Sequence, residues 1–183
     1  MNLEYAKTTP RQLTDGRFFV KVANKVIIQL NNSTLCESYE SSEDDITLSV
    51  SDQYSGQLAD IDAQTIAAAK TNSVEWFKRE LTEKTIASAY TKSTMTNVEK
   101  MKSTVIYDHK KMIVEDKNIP AGTVCDVLVE LSGVWFLKKT FGLVWRVVQV
   151  RLKSPPKNKL KQEVVYMFQG DDADSDSDSD EYK

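Results

Sequence analysis

The sequence predicts a mainly β domain with a helical insertion and an acidic tail, and three observations carry that reading. The first is the run Leu131 to Leu152, LSGVWFLKKTFGLVWRVVQVRL, the densest concentration of β-branched and aromatic residues in the 183-residue chain. Such side chains lose rotamer freedom in a helix and fit a pleated, half-buried surface. The second is an alanine-rich, helix-prone stretch from Asp60 to Lys70, sitting between runs of strand character. The third is the ending GDDADSDSDSDEYK, which is too polar to bury enough apolar surface to order itself. Residues 1–170 are therefore expected to form one domain and residues 171–183 a disordered acidic tail.

Taken in order, residues 1–16 read as a polar lead-in closing at a Thr14-Asp15-Gly16 turn. RFFVKV-AN-KVIIQL then reads as a β-hairpin about Ala23-Asn24. Alternation sends Phe18, Val20 and Val22 to the core, with Val26, Ile28 and Leu30 opposite them. Asn31 to Glu43 reads as an acidic loop and Ile46 to Val50 as a third strand. Beyond the alanine-rich stretch, Asn72 with Glu75 three residues on has the form of a capping box, and Val74, Phe77 and Leu81 recur at helical spacing. Thr91 to Lys117 reads as a long loop carrying one strand near Val105-Ile106-Tyr107. Its lysines and His109 either clamp a phosphate backbone or simply face solvent.

Ile119 to Gly122 is a turn opening a strand from Thr123 to Leu131, whose Cys125, Val127, Val129 and Leu131 share a face. Gly133 and Gly142 then divide the following run into two short strands joined through Lys138-Lys139-Thr140. From Leu143 the alternation puts Val144, Val148, Val150 and Leu152 on the core face and Trp145, Gln149 and Arg151 on the other. KSPPKNKLK is a proline-broken basic connection, and Val164 to Phe168 reads as a last strand. Three strands, helical material, then two or more strands is the order of a five-stranded OB barrel with extra strands, in which a helix plugs the bottom between the third and fourth strands.

Charge is distributed in blocks. The overall charge is −3, but seven acidic residues against one lysine after Gly170 leave the preceding residues at about +3. Lys138 to Glu163 holds eight basic residues against one Glu, whereas Glu37 to Asp62 holds eight acidic and no basic residues. That separation fits a cationic ligand face with an acidic face turned away from it. Cys36 and Cys125 lie far apart without a CxxC, so two buried thiols in a reducing compartment are expected rather than a disulfide. No apolar run has the length of a signal sequence or a membrane span, so a soluble, intracellular protein is expected.

Catalytic signatures are missing. There is no phosphate-binding glycine loop ending in Lys and Ser/Thr, no GxSxG and no HExxH, and a lone histidine supplies no histidine metal cluster. The expectation is a non-enzyme with no metal and no cofactor.

Cation and aromatic residues interleaved on strands are what a backbone-tracking, base-stacking groove needs. Alternation nominates Arg17, Lys21, Lys138, Lys139, Arg146 and Arg151 to capture phosphates and Phe19, Trp135, Phe141 and Trp145 to stack bases. The competing reading makes Arg17 and Lys21 guards of an edge strand and Trp145 the cap of a second small core. Arg146 falls on the nominal core face and can equally snorkel from a barrel end.

The pattern IPAGT, followed by DVLVEL-SG-VWF-x-KK-x-FGL-x-WR-x-VQV between Ile119 and Leu152, resembles the single-stranded-DNA-binding proteins of nucleocytoplasmic large DNA viruses. Those are relatives of the acidic-tailed DNA-binding proteins of short-tailed phages. The resemblance implies an OB fold, cooperative coating of single-stranded DNA in viral replication, recombination or repair, and action at the site of viral DNA replication in the host cytoplasm or nucleus. It also implies a tail (Asp171, Asp172, Asp174, Asp176, Asp178, Asp180, Glu181, Tyr182) that contacts replication proteins such as a polymerase or helicase. Lys183 follows the aromatic Tyr182 and departs from the phage pattern. Ser175 and Ser177, each with an acid three places on, suit an acidophilic kinase. Homodimerisation is left open. The alternative is an acidic-tailed interaction scaffold or a virion structural protein that binds no nucleic acid, its tail otherwise only solubilising.

Overall fold

The computed structural model describes residues 2–40, 44–115 and 118–154. The basic connection beyond Ser154, the strand expected at Val164 to Phe168 and the whole acidic tail lie outside them. The described chain is mainly β, with three helices and one mixed sheet. Strands β1 (Arg11–Gln12), β2 (Phe18–Lys21), β3 (Ile27–Leu35), β4 (Asp45–Ile46) and β5 (Leu48–Ser49) precede the helices α1 (Ser55–Thr71), α2 (Ser73–Phe77) and α3 (Glu83–Ala89). After them come β6 (Tyr90–Thr91), β7 (Val98–Tyr107), β8 (Val124–Leu137) and β9 (Thr140–Leu152).

The run that dominates the sequence is the spine. It is one long hairpin, β8–β9, turning at Lys138-Lys139 with Lys138 at a φ of 51°. Gly133 and Gly142 do not divide it; both lie inside strands. The open path of the sheet is β1-β2-β8-β9-β7-β4. β2 and β3 do not pair into the expected hairpin. They lie end to end along the same edge of β8, with β3 on Val124 to Glu130 and β2 on Gly133 to Phe136. On the other edge, β9 takes β6 and β7 in parallel.

Two bulges set the faces of the hairpin. Leu131 pairs with Trp145 but Gly133 with Val144, so Ser132 is an extra residue in β8. Leu128 pairs with Gln149 but Val129 with Val147, so Val148 is an extra residue in β9. Each one-residue insertion reverses which face the following side chains occupy. In β9, Val150 and Leu152 face inward as alternation predicts, but beyond Val148 the inward residues become Val147 and Trp145. Val144 and Arg146 turn outward. The assignment of Trp145 to the ligand face and of Arg146 to the core is thereby corrected.

The inward side chains form two clusters. One gathers Leu30, Ile46, Ile61, Val98, Ile106, Val127, Val129, Trp145 and Val147. The other packs Val20, Trp76, Ile86, Val134, Phe136 and Phe141 beneath the helices, with Phe136 stacked on Phe141 at 5.8 Å. Helix α1 starts earlier than its alanine-rich segment implies and buries Leu58, Ile61, Thr65 and Ala69. Asn72 does not form the expected capping box. Its side-chain amide donates to the Ala68 carbonyl at the end of α1, and Val74 points to solvent while Trp76 packs inward. Cys125 is buried but Cys36 is exposed, at the end of a strand rather than in the core, and neither is in a disulfide.

Trp145 is 4% exposed, and its indole N–H donates to the Ser93 hydroxyl at 3.3 Å. Trp145→Ala is expected to lower unfolding free energy by about 3–5 kcal/mol, as truncation of a buried large aromatic does. Chemical denaturation checks this. A loss under about 1 kcal/mol contradicts the burial described here.

Candidate nucleic-acid interface

Seven of the ten nominated residues are split between three grooves, and the other three line none of them. Arg17, Trp135 and, from the core side, the buried Trp145 line a groove of about 660 Å³ beside the hairpin. Lys138, Lys139 and Phe141 line a second groove, of about 860 Å³, between the hairpin turn and the helices. Arg151 lines a third, of about 280 Å³, with Gln29, Tyr107 and Gln149. Lys21 is exposed at the end of β2, and Phe19 and Arg146 line none of these grooves.

Alternation assigned directions correctly in β2 and exposure wrongly. Phe19 pairs with Trp135 and faces outward, yet it is 8% exposed because its ring lies over Gly133 with the Arg11 guanidinium above it. A Cβ at Gly133 would sit 2.5 Å from that ring and 2.2 Å from the Val20 carbonyl oxygen, so only glycine admits the ring there. Phe18 pairs with Phe136 and faces the core side as expected, but at its rim, and remains 43% exposed. Phe141 is buried against Phe77, Tyr90 and Phe136 and offers no free ring face. Of the four nominated stacking rings, Trp135 alone is half-buried rather than buried. Its indole lies over Gly142, where a Cβ would approach it to 3.1 Å.

Charges on the outer face are largely matched. Arg17 Nε donates to Asp15 at 2.6 Å, and Arg146 Nε donates to Glu99 at 3.0 Å. Arg151 donates to Asp126 through Nε at 3.0 Å and through a second, shorter contact from its terminal nitrogen, while Lys153 reaches the same oxygen at 2.7 Å. Asp126 also accepts from the Asn32 N–H at 3.0 Å, which holds the bulge in β3 where Asn32 has a φ of 53°. Burial alone would raise the Asp126 carboxyl, but Lys153, Arg151 and the Asn32 N–H outweigh it and hold it below the usual carboxylate range. Arg151 is thus a structural partner before it is a ligand contact.

The second groove differs. Its cations are Lys78, Arg79, Lys138 and Lys139, all exposed, and its lining includes no carboxylate among the described residues. None of the four forms an ion pair with a described residue. Phe18 and Phe77 supply aromatic surface to it, over Phe136. Lys78 ends α2 with a φ of 61°, which turns the chain and projects Lys78-Arg79 over the groove. Lys78, Arg79, Phe18 and Phe77 were missed as site residues because they belong to elements read as core or helix. The only linear signal was two cations directly after an apolar helical face.

Among the described residues no group of three or more His, Cys, Asp or Glu is placed to hold a metal ion. No helix among them is long and apolar enough to cross a membrane. A model described as a family of unknown function, DUF5871, matches residues 31–169, which is most of the chain. The chain belongs to the DUF5871 family. No curated protein and no solved structure matches it. The DUF5871 match begins within β3 and runs through β9, and therefore takes in the whole hairpin, Lys78, Arg79, Lys138 and Lys139, while Arg17 and Phe18 precede it.

The Asp126 cluster sets a pH dependence. A carboxyl with a folded-state pKa below its unfolded value of about 3.9 contributes stability at neutral pH, and the contribution is lost as pH falls through the folded value. The difference in melting temperature between the wild type and Asp126→Asn should therefore be full at pH 6 and shrink progressively below about pH 4. A difference unchanged from pH 6 to pH 2.5 excludes the linkage.

Proposed function

We propose that this DUF5871 chain is a non-enzymatic single-stranded-DNA-binding protein that needs no cofactor. The observation that carries the reading is the second groove, where four cations with no ion-pair partner among the described residues surround aromatic surface and no described carboxylate intervenes. Single-strand binders combine a cationic path for the backbone with rings on which bases stack sequence-independently. Phosphate capture falls to Lys78, Arg79, Lys138 and Lys139, and stacking to Phe18 and Phe77. The likeness of Ile119 to Leu152 to the single-strand binders of large DNA viruses supports the same activity, and with it action at sites of viral DNA replication.

The pairing pattern supports an OB-type barrel. β3 pairs with β8, β8 with β9, β9 with β7 in parallel, β7 with β4, and β5 with β3, while Thr47 alone separates β4 from β5. Numbered by chain order, that ring runs first-fourth-fifth-third-second with a parallel third–fifth pair. In this arrangement Lys138-Lys139 is the loop between the fourth and fifth strands, one of the two loops with which OB folds hold oligonucleotides. The helices follow the second ring strand, not the third.

The carboxylates on the outer face favour a second reading, a protein-interaction module, because matched arginines make a poor electrostatic trap for DNA. Salt dependence separates the two. With about four phosphate contacts at roughly 0.7 each, log affinity for oligothymidylate should fall with log salt at a slope of roughly −2 to −3. Phe18→Ala should weaken binding by about 1–3 kcal/mol and leave the melting temperature nearly unchanged, since the ring is 43% exposed. A flat salt response together with unaltered Phe18→Ala binding removes the single-strand reading.

In the same reading the acidic tail competes with DNA for the cations and, once displaced, recruits a replication protein such as a polymerase or helicase. Its effective concentration, set by a short tether, reaches roughly millimolar. Deletion of Asp171 to Lys183 should then tighten oligothymidylate binding, most at low salt where charges are least screened. Equal affinities with and without the tail at low salt leave it no role as an internal competitor.

A further inference from the structure

Two nominated residues, Arg17 and Arg146, converge on a carboxylate that alternation had no reason to select, at the groove that Trp135 lines. Glu99 in β7 accepts from Arg146 Nε at 3.0 Å and lies 3.7 Å from the terminal nitrogen of Arg17. The two arginines approach from different directions. Arg17 leads into β2, which flanks β8, whereas Glu99 belongs to β7, which flanks β9. The Arg17–Glu99 pair therefore spans the outer face of the hairpin, and Trp135 and Val144 on the two hairpin strands line the groove it crosses.

This link is built to be exchanged. The Arg17, Arg146 and Glu99 side chains are 35%, 40% and 31% exposed, so solvent and ligand reach all three. Pairs this open contribute little to folding. Asp15 holds Arg17 through Nε, so the guanidinium stays in place when its terminal nitrogen changes partner. The groove is lined by three cations, Arg17, Lys92 and Lys100, and three carboxylates, Asp44, Asp45 and Glu99. Displacing the charge of one carboxylate makes it net cationic, and of the three Glu99 is the one that holds Arg17 and Arg146. Guanidinium groups bind carboxylate and phosphate through the same planar donor geometry.

We infer that Glu99 is a built-in phosphate surrogate. It occupies the Trp135 groove beside Arg17 in the free protein and ties it to Arg146, which lies outside the groove lining. Single-stranded nucleic acid takes its place with a backbone phosphate between the two guanidiniums while a base stacks on Trp135. This rests on the single-strand-binding reading and adds to it a second contact site with its own internal competitor. Glu99 sets affinity without being a ligand contact.

The test is Glu99→Gln in the full-length chain, titrated with fluorescent oligothymidylate across a salt series. Binding should tighten about tenfold at low salt, and the log–log slope should steepen by about 0.7 to 1.4 as one or two guanidiniums become phosphate contacts. Adding Arg146→Gln to Glu99→Gln should return the slope toward the wild-type value. A melting curve verifies that the variant is folded; if it is not, Glu99→Asp, whose shorter carboxylate withdraws from both arginines, is read in the same way. Wild-type binding with unchanged affinity and slope in the folded variant overturns the surrogate and leaves the single-strand reading standing. Absence of binding by both proteins overturns the two together.

Discussion

Every other strand is attached directly or through a neighbour to the β8–β9 hairpin, and two extra residues in that hairpin, Ser132 and Val148, decide what the sheet shows to solvent. Arg146 and Arg151 are five positions apart, an odd spacing that places them on opposite faces of an unbroken strand. Val148 brings both to the outer face, where Glu99 and Asp126 on the neighbouring strands meet them. The same insertion puts Trp145 and Val147 into the core that Val150 and Leu152 already occupy. Ser132 does the corresponding work in β8, so that Val134 and Phe136 face the helices as Cys125 to Leu131 face the main cluster. Two apolar clusters under one sheet follow from two single-residue insertions.

This is also where the sequence stops being legible. The strand character of Ile27 to Leu30, Thr123 to Leu131 and Leu143 to Leu152, and the inward face of Cys125, Val127, Val129 and Leu131, follow from residue type and period alone. A bulge leaves no compositional mark, since Val148 looks like any strand residue, and an alternation extrapolated through it inverts. Phe19 failed for a different reason. Its direction was right, but the glycine that seats its ring is 114 positions away, and only the pairing of β2 with β8 brings them together. The pairing of β2 and β3 along one edge of β8, in place of a hairpin, is likewise non-local, because Ala23-Asn24 is turn-like in either arrangement.

The charges divide by their distance from sheet registers. Arginines inside the strands have cross-strand neighbours at fixed separation, and carboxylates stand at those positions: Glu99 pairs in register with Arg146, and Asp126 with Arg151. Lysines at the hairpin turn and after α2 have no register to supply a partner. Lys78, Arg79, Lys138 and Lys139 therefore gather at one end of the hairpin without an ion-pair partner among the described residues, although composition alone spreads basic residues along the whole of Lys138 to Glu163.

That end is also where the aromatic surface is accessible, and the coincidence has a geometric cause. Gly133 and Gly142 lie in the distal half of the hairpin, beneath Phe19 and Trp135, where a Cβ would crowd the ring that lies flat across the strand. Phe19 is then sealed by Arg11, while Trp135 stays open beside Leu137, which lines the outer groove. Lys138 and Lys139, next in the chain, line the groove on the other side with Phe18 and Phe77. A ligand that uses both grooves must pass around the Lys138-Lys139 turn, bringing its charge past two ammonium groups that have no ion-pair partner among the described residues. A flexible polyanion with a ring at each repeat can make that passage, whereas a stiff duplex cannot follow a turn two residues wide. Under the single-strand proposal, the shape of the hairpin end therefore adds to its charge in favouring a flexible strand over a duplex.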